Sequence, residues 1–392
     1  MTVPEHSARA GQYIQQLTGY KAFIPQALPP KPPVQMDAAM WDLLSRADRA
    51  LGRLEGSTST LPNPDLFVFM YVRKEAVLSS QIEGTQASLM DVLEFEVQAM
   101  ERGGSNDAEE VVNYVAAMNH GLDRVKQLPL SLRLIREIHK KLMSGVRGGN
   151  RNPGEFRNQQ NWVGPPGSTL RDATFVPPPP QEMMAALGQL ESFLHDEVPL
   201  PILLKVGLAH AQFETIHPFF DGNGRIGRLL ITFLLCQKGV ISRPLLYLSW
   251  YFKKKRTEYY ERLQSIRDRG DWEGWLKFFL SGVEEVSHEA TDTARKVIAM
   301  RETHRQQLLD NLGDRSGNAL SLLESLFWQP IVSVQSVTEV TKLAYSNANN
   351  LIKKMQELKL LRELTSKKRN RKFAYAPYLA LFSDEPLNFE KQ

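Results

Sequence analysis

The stretch that decides the reading is Ile216-His217-Pro218-Phe219-Phe220-Asp221-Gly222-Asn223-Gly224-Arg225-Ile226-Gly227-Arg228. The apolar-patterned residues before it, 203–216, read as a helix that must end ahead of Pro218, because a residue preceding proline is pushed out of the α region. His217 therefore stands at a helix exit. Residues 225–238 are apolar enough for a buried helix closed by Gly239. Between the two lies a tight loop opening onto a helix N-terminus, where free backbone N–H groups and the positive end of the helix dipole attract anions. Gly222 and Gly224 let a phosphate approach the backbone closely, and Asn223 between them completes the cradle. Arg225 and Arg228, three residues apart, fall on neighbouring positions of one helical face and form a guanidinium fork for phosphate oxygens. Asp221 sets a hard carboxylate beside that nest, suited to a Mg²⁺ bridging phosphates, and His217 supplies an imidazole that accepts a proton near neutral pH.

No Gly-Lys-Ser/Thr follows the glycines, so this is not a Walker A loop, and it lacks the Gly-x-Gly-x-x-Gly of dinucleotide folds. It closely resembles the signature of the Fic family, His-Pro-Phe-x-Asp/Glu-Gly-Asn-Gly-Arg-x-x-Arg, with no departure at any position. Upstream, Ser79-Ser80-Gln81-Ile82-Glu83-Gly84 resembles the inhibitory motif of that family, Ser/Thr-x-x-x-Glu-Gly/Asn. A carboxylate that reaches the second arginine of the fork neutralises it and takes the space of a γ-phosphate, so ATP binds with its α-phosphate misplaced for attack. Glu83 paired to Arg228 is then an off-switch.

The 392 residues exceed one usual domain. With 42% apolar and 23% charged residues, a mostly disordered or collagenous chain is ruled out. No apolar run reaches the roughly 20 residues of a membrane span, and Met1-Thr-Val-Pro-Glu-His6 lacks a basic region followed by an apolar core. Neither export nor a membrane anchor is expected. Cys236 is the only cysteine, so an intrachain disulfide is impossible and the reducing cytoplasm is the expected compartment, with Cys236 packed in the core. The net charge of +4 is unevenly spread: residues 351–373 hold nine Lys/Arg against two Glu, so all the excess positive charge lies near the C-terminus.

In chain order, the Pro-rich residues 25–33 read as extended surface chain. Amphipathic helices are expected over about 36–56, 64–80, 88–100, 108–125, 131–144 and 181–195, with a break at residues 61–64 and a loop at 103–107. The one clearly non-helical stretch begins at Gly148 and runs to Pro180; its β-prone runs 161–163 and 173–176 flank a Pro/Gly turn, the pattern of a hairpin with an open edge. The Gly154-Glu-Phe-Arg157 and Asn161-Trp-Val-Gly164 runs resemble the Fic flap, along which an extended target segment aligns by main-chain pairing in that family. The segment after Pro244 resembles the following Fic helices, whose tyrosine-bearing part walls the adenine. Lys254 and Tyr259 are the candidates there, although tyrosines at helical spacing also suit a core. From about Arg301, three helices over 319–327, 336–343 and 346–360 and a basic hairpin over 361–376 resemble a winged helix-turn-helix, suited to DNA contact through phosphates or to protein docking.

The resemblance thus implies a mainly α fold: a Fic-type helical core with a small β-hairpin flap and a C-terminal winged helix-turn-helix domain. The expected division is 1–107 for an N-terminal helical region carrying the inhibitory motif, 108–300 for the catalytic core and 301–392 for the winged-helix-like domain. The implied activity is adenylyl transfer from ATP, with Mg²⁺ or Mn²⁺, to a Tyr, Thr or Ser hydroxyl of a target protein or of the chain itself. His217 is then the general base, Asp221 the metal ligand, Gly222, Asn223, Gly224, Arg225 and Arg228 the phosphate contacts, and Glu83 the restraint. A homodimer is implied by resemblance alone. Removal of AMP by a Glu83-positioned water, and a DNA-binding regulator whose Fic part only senses nucleotide, are the alternatives.

Overall fold

The computed structural model describes residues 7–59, 65–99, 106–145, 152–165, 167–313, 316–365 and 370–383. The expected break at 61–64, residues 103–105 of the expected loop, the glycine run at 148–151 that opens the non-helical stretch, and residues 366–369 of the basic hairpin lie outside the described residues.

The chain is mainly helical. After a 3₁₀ turn at Ser7–Arg9 come two short strands, β1 (Gly11–Gln15) and β2 (Lys21–Pro25), paired antiparallel from Gly11 opposite Pro25 to Gln15 opposite Lys21. The helices that follow are α1 (Ala38–Ser59), α2 (Asp65–Ile82), α3 (Leu89–Ala99), α4 (Asn106–Val125), α5 (Leu132–Leu142), α6 (Pro180–His195), α7 (Ile202–Ile216), α8 (Asn223–Gln237), α9 (Ser249–Lys254) and α10 (Arg256–Arg269). A single long helix, α11 (Trp272–Leu312), then packs along α1. The C-terminal part adds α12 (Gly317–Leu326), β3 (Ile331–Ser333), α13 (Val334–Thr341), α14 (Tyr345–Glu357), β4 (Arg362–Glu363), β5 (Lys372–Ala374) and α15 (Ala376–Ala380), with the strands ordered β3-β5-β4, all antiparallel.

Helix α7 is the axis of the core, with every residue from Leu203 to Ile216 buried. Two glycines set how closely its neighbours pack. At Gly207 an added Cβ would lie 3.0 Å from Leu276 and Phe279 of α11, and the Trp275 indole donates to the Gly207 carbonyl at 2.8 Å. At Gly121 of α4 a Cβ would fall 2.2 Å from the Phe233 ring of α8, so α4 and α8 meet at backbone distance there.

Three sequence expectations need amendment. Ahead of the Pro-rich residues 25–33, where no element was expected, lies the β1–β2 hairpin, tied to the rest by the Phe23 N–H, which donates to the Val176 carbonyl at 2.9 Å. The hairpin expected over 161–176 is reduced to a single bridge, Val163 opposite Phe175. Pro165 and Pro177 have no N–H to extend a ladder. The change of character expected near Arg301 falls inside α11, which continues to Leu312, and one contiguous buried cluster extends from Ala10 to Phe382. The ring of Phe382 stands edge-on to Tyr71 of α2, centroids 5.4 Å apart.

Candidate active site

The turn between α7 and α8 is built by its own sequence. Helix α7 ends as Pro218 requires, with His217 in the left-handed region at φ +49. Gly222, at φ +77, is the N-cap of α8, a conformation that favours glycine. The first α8 bond runs from Ile226 N–H to the Gly222 carbonyl at 3.0 Å, so the N–H groups of Asn223, Gly224 and Arg225 belong to the open first turn. Asn223 is buried and uses its side chain to brace the loop: its Oδ1 accepts from Phe219 N–H and its Nδ2 donates to the Phe219 carbonyl, both at 2.8 Å. Its contribution to an anion is therefore its backbone N–H.

His139 of α5 holds this loop from below. Its ring stacks on Phe219, centroids 3.7 Å apart. Nδ1 accepts the Gly154 N–H at 2.9 Å, which leaves Nε2 to donate to the Asp221 carbonyl at 3.0 Å. Burial pushes its pKa down to about 4, so the neutral tautomer needed for this pair of bonds is the stable one. Arg157 holds the His217 end: Nε donates to the His217 carbonyl at 3.0 Å. Neither residue stands out in the sequence, since a lone histidine and a lone arginine outside the signature give no spacing signal; only the resemblance of residues 154–157 to the flap pointed to that neighbourhood.

The Glu214 carbonyl one turn earlier favours the charged form of the His217 ring. Burial, then the cations Arg157 and Arg267, lower its pKa to about 4, against an opposing pull from Glu83. The imidazole is neutral at pH 7.

The two arginines are poised differently. Arg225 is 4% exposed, yet its contacts are long: 3.4 Å to Glu110, 3.4 Å to Asp221 and 3.6 Å to the Met143 sulfur, with Nε buried and lacking a hydrogen-bond partner. A buried guanidinium with an unspent donor is an incomplete anion site. Arg228 is engaged by the last turn of α2 and by Glu83, the residue that follows it. Nε donates to Ser79 Oγ at 2.8 Å, and Nη2 donates to the Ser79 carbonyl at 2.9 Å and to Glu83 Oε1 at 2.6 Å. Burial works to raise the Glu83 pKa, but Arg228, helped by Arg225 and His217, outweighs it and holds the carboxyl below its usual value. The Glu83 carboxylate lies directly over the glycine nest: a Cβ on Gly224 would stand 2.2 Å from Oε1. Glu83, Gly224 and Arg228 thus share one space.

Behind Arg228 the packing is polar and closed. Glu75 accepts from Tyr114 at 3.1 Å and from Ser249 N–H at 3.1 Å and Oγ at 2.5 Å, and burial lifts its pKa to about 7. Tyr259 lies on the core side of α8, its hydroxyl 2.9 Å from His210 Nε2, while His210 Nδ1 meets the Gly227 carbonyl at 2.8 Å. At 1% exposure Tyr259 is enclosed in the core beside α7. Lys254 is at the surface, 2.7 Å from Glu285 and over the Trp250 ring at 4.5 Å. The structure therefore gathers His217, Asp221, Gly222, Asn223, Gly224, Arg225, Arg228 and Glu83 at one loop and engages Lys254 and Tyr259 elsewhere.

Comparison with known proteins agrees with this geometry. Residues 41–123 match the model of the Fic/DOC family N-terminal region and residues 129–235 that of the Fic/DOC family. The chain carries both Fic/DOC family regions. It is 30% identical over 213 residues to the "Protein adenylyltransferase Fic" of Drosophila grimshawi, a match covering 52% of this chain and 40% of that protein. The Drosophila virilis protein of the same name is also 30% identical, with 39% of it covered. The chain spans about two fifths of the length of these relatives. Among solved structures, a Fic family protein from Desulfovibrio desulfuricans G20 superimposes with a TM-score of 0.57 at 17% identity over 88% of this chain and 98% of that one. A Fic domain containing signaling protein from Bacteroides thetaiotaomicron does so at 0.50 and 20%, over 63% and 97%. These likenesses are of fold.

Ser79→Ala strips the Arg228 Nε of its acceptor in a buried setting. An unmet buried donor costs about 1–3 kcal/mol, so denaturant unfolding of the variant should show a loss of that size, and an unchanged midpoint would contradict the assigned bond.

Proposed function

We propose that the protein is an adenylyltransferase that moves AMP from ATP to a Tyr, Thr or Ser hydroxyl of a protein acceptor, in the cytoplasm, and that Glu83 restrains it. The observation that carries this reading is the incomplete anion site: a buried Arg225 with an unspent Nε, three first-turn N–H groups of α8, and a neutral His217 at the lip of the same loop. The names of the Drosophila relatives support the same chemistry.

The triphosphate then lies along the loop, its β- and γ-phosphates taken by the α8 N-terminus, Arg225 and Arg228, which stabilises the charge on the leaving pyrophosphate. The acceptor hydroxyl approaches the α-phosphorus in line. His217 takes its proton at a ring nitrogen, the new O–P bond forms, and the bond to pyrophosphate breaks. Asp221 fits a Mg²⁺: its carboxylate is partly exposed beside the nest, and a hard ion that shares one carboxylate with substrate phosphates needs no larger protein ligand set. When bound, the ion would neutralise phosphate charge.

Glu83 blocks this arrangement because its carboxylate takes Arg228 Nη2 and neutralises the charge that a γ-phosphate would meet. The carboxylate also stands over Gly224, where a phosphate would approach the backbone. We take residues 1–107, 108–300 and 301–392 as the inhibitory, catalytic and C-terminal parts. The last is proposed to be a winged helix: its helix–strand–helix–helix–strand–strand order and basic side chains suit a phosphate backbone or an acidic protein surface.

With α-³²P-labelled ATP and Mg²⁺, Glu83→Gly should label protein faster than wild type, and His217→Ala in that background should lose about 10²–10⁴-fold, the usual worth of a general base. Labelling by His217→Ala at the parent rate contradicts the assigned base.

The pH profile follows from the depressed His217 value. A base acts unprotonated, so kcat/KM is lost as pH falls through the pKa of the free enzyme, about 4 rather than the ordinary 6.5. Removing Glu83, which pulls that value upward, moves the limb no higher. Glu83→Gly assayed from pH 8 to 5 should hold its kcat/KM; an acid limb near 6.5 contradicts the buried, cation-flanked environment.

A further inference from the structure

Glu83 is not held at Arg228 by their ion pair alone. It is the first residue past α2, and the turn it begins folds back on the helix: the Glu83 and Thr85 N–H groups donate to the Ser80 carbonyl at 3.1 and 3.2 Å, and Gly84 N–H donates to that of Gln81 at 3.1 Å. Gly84, at φ +104, makes the reversal, and a Cβ there would meet nothing within 4 Å. Side chains hold the turn down. Gln81 donates to the Ala87 carbonyl at 2.9 Å and accepts from Lys253 of α9 at 2.6 Å. On the other side, Thr85 Oγ1 donates to Oε2 of Glu110, on α4, at 3.3 Å, and Gln86 N–H reaches Asp107 at 3.5 Å.

The same Oε2 of Glu110 accepts from Arg225 Nη1 at 3.4 Å, and the Glu110 side chain is only 12% exposed. One oxygen is thus divided between a donor of the anion site and a donor of the inhibitory turn, and both bonds are long. A carboxylate so nearly buried keeps its charge in place only beside a cation. Among the described residues that cation is Arg225. A continuous network therefore joins the two arginines: Asp221, Arg225, Glu110, Thr85 and, two residues back, Glu83 on Arg228. Arg225 also bears on Glu83 directly. Burial opposes the Glu83 charge, and Arg228, with Arg225 behind it, sustains that charge.

A phosphate on Arg225 upsets this balance. Its negative charge takes up the guanidinium, and Glu110, left beside it without a counter-charge, is driven toward solvent. Thr85 is a neutral hydroxyl and does not hold an uncompensated carboxylate in place. Arg225 keeps its position while Glu110 gives way, and Glu83 loses both its tie to α4 and the pull of Arg225.

We propose that Glu110 is a positioning residue that couples the two arginines: it latches the Glu83 turn onto α4 through Thr85, and a phosphate arriving at Arg225 opens the latch. The inference rests on the reading of Glu83 as the restraint, and it names what loosens that restraint. A nucleotide that engages Arg225 weakens Glu83 before its γ-phosphate meets Arg228. The coupling is reciprocal, so freeing the turn tightens phosphate binding at Arg225.

The test uses the full-length chain, ADP with Mg²⁺ as the probe, and amide hydrogen exchange of residues 83–87 as the readout. ADP offers phosphates to Arg225 but has no γ-phosphate for Arg228. In the wild type ADP should speed exchange of these amides about tenfold, the effect of losing one hydrogen bond to a charged group. Thr85→Val, close in shape to threonine, should exchange that fast without ADP and gain nothing from it. Thr85→Ser keeps the hydroxyl and should behave as the wild type. Unchanged or slower exchange with ADP in the wild type, or a Thr85→Val turn as protected as the wild-type turn, overturns the latch. So does a Thr85→Ser turn that exchanges like Thr85→Val, because packing and not the hydroxyl then holds it. Failure of ADP to bind overturns it too, since Arg225 is then no anion site.

Transfer of label from α-³²P-ATP separates the latch from the reaction. Thr85→Val should label protein about tenfold faster than wild type and add nothing in the Glu83→Gly background, where no restraint is left to release. An equal gain in both backgrounds overturns the proposal. Exchange as expected with no label on any protein upholds the latch and overturns adenylyl transfer. Label that rises with Glu83→Gly while Thr85→Val stays at the wild-type rate upholds transfer and overturns the latch.

Discussion

A guanidinium that is 3% exposed has to find its counter-charge inside the protein, and for Arg228 that partner comes from a helix 145 residues earlier in the chain. Much of the site follows from this one pairing. The C-terminal turn of α2 lies at the α8 N-terminus and reaches Arg228 with two contacts four residues apart, Ser79 in the helix and Glu83 just after it. The polar groups that α2 buries on the way are met by others: Glu75 by Tyr114 of α4 and by Ser249 at the start of α9. Ser79 is neutral and Glu83 charged, and this difference matters. A phosphate that displaced Glu83 would leave Arg228 still aimed by Ser79, so the cation would be delivered to the nucleotide already oriented.

In the proposed mechanism, restraint and readiness are features of the same few atoms. Arg225 is loosely held and Arg228 tightly held, although both sit on one turn of one helix. The first has long contacts to carboxylates that lie beside the nest; the second is capped by a carboxylate that lies over it. Under the proposed mechanism the loose arginine receives a phosphate without rearrangement, and the tight one sets a threshold.

The loop from 217 to 228 was legible because its turns are set locally: a proline that ends one helix, a left-handed glycine that starts the next, and side chains within a dozen residues. Glu83 was legible only through resemblance, since no spacing rule connects it to Arg228. His139 and Arg157 were not, because each acts on backbone carbonyls of the loop, an arrangement that leaves no pattern in the sequence. The same cause hid the N-terminal hairpin. Its strands are five residues long and are fastened by a backbone bond to Val176, while the nearby prolines argued for extended chain. Lys254 and Tyr259 were named from resemblance, and helical spacing already suited a core; the packing engages Tyr259 with His210 and Lys254 with Glu285.

The central claim is that Glu83 and a γ-phosphate compete for Arg228. It is tested most directly by crystal structures of the wild type and of Glu83→Gly, each with a non-hydrolysable ATP analogue and Mg²⁺. Competition predicts that in Glu83→Gly the γ-phosphate lies within hydrogen-bonding distance of Arg228 and the α-phosphorus faces His217, whereas in the wild type the Glu83–Arg228 bond persists and the triphosphate is displaced. The same triphosphate path in both proteins, with Arg228 bound to Glu83 and to the γ-phosphate together, would contradict it.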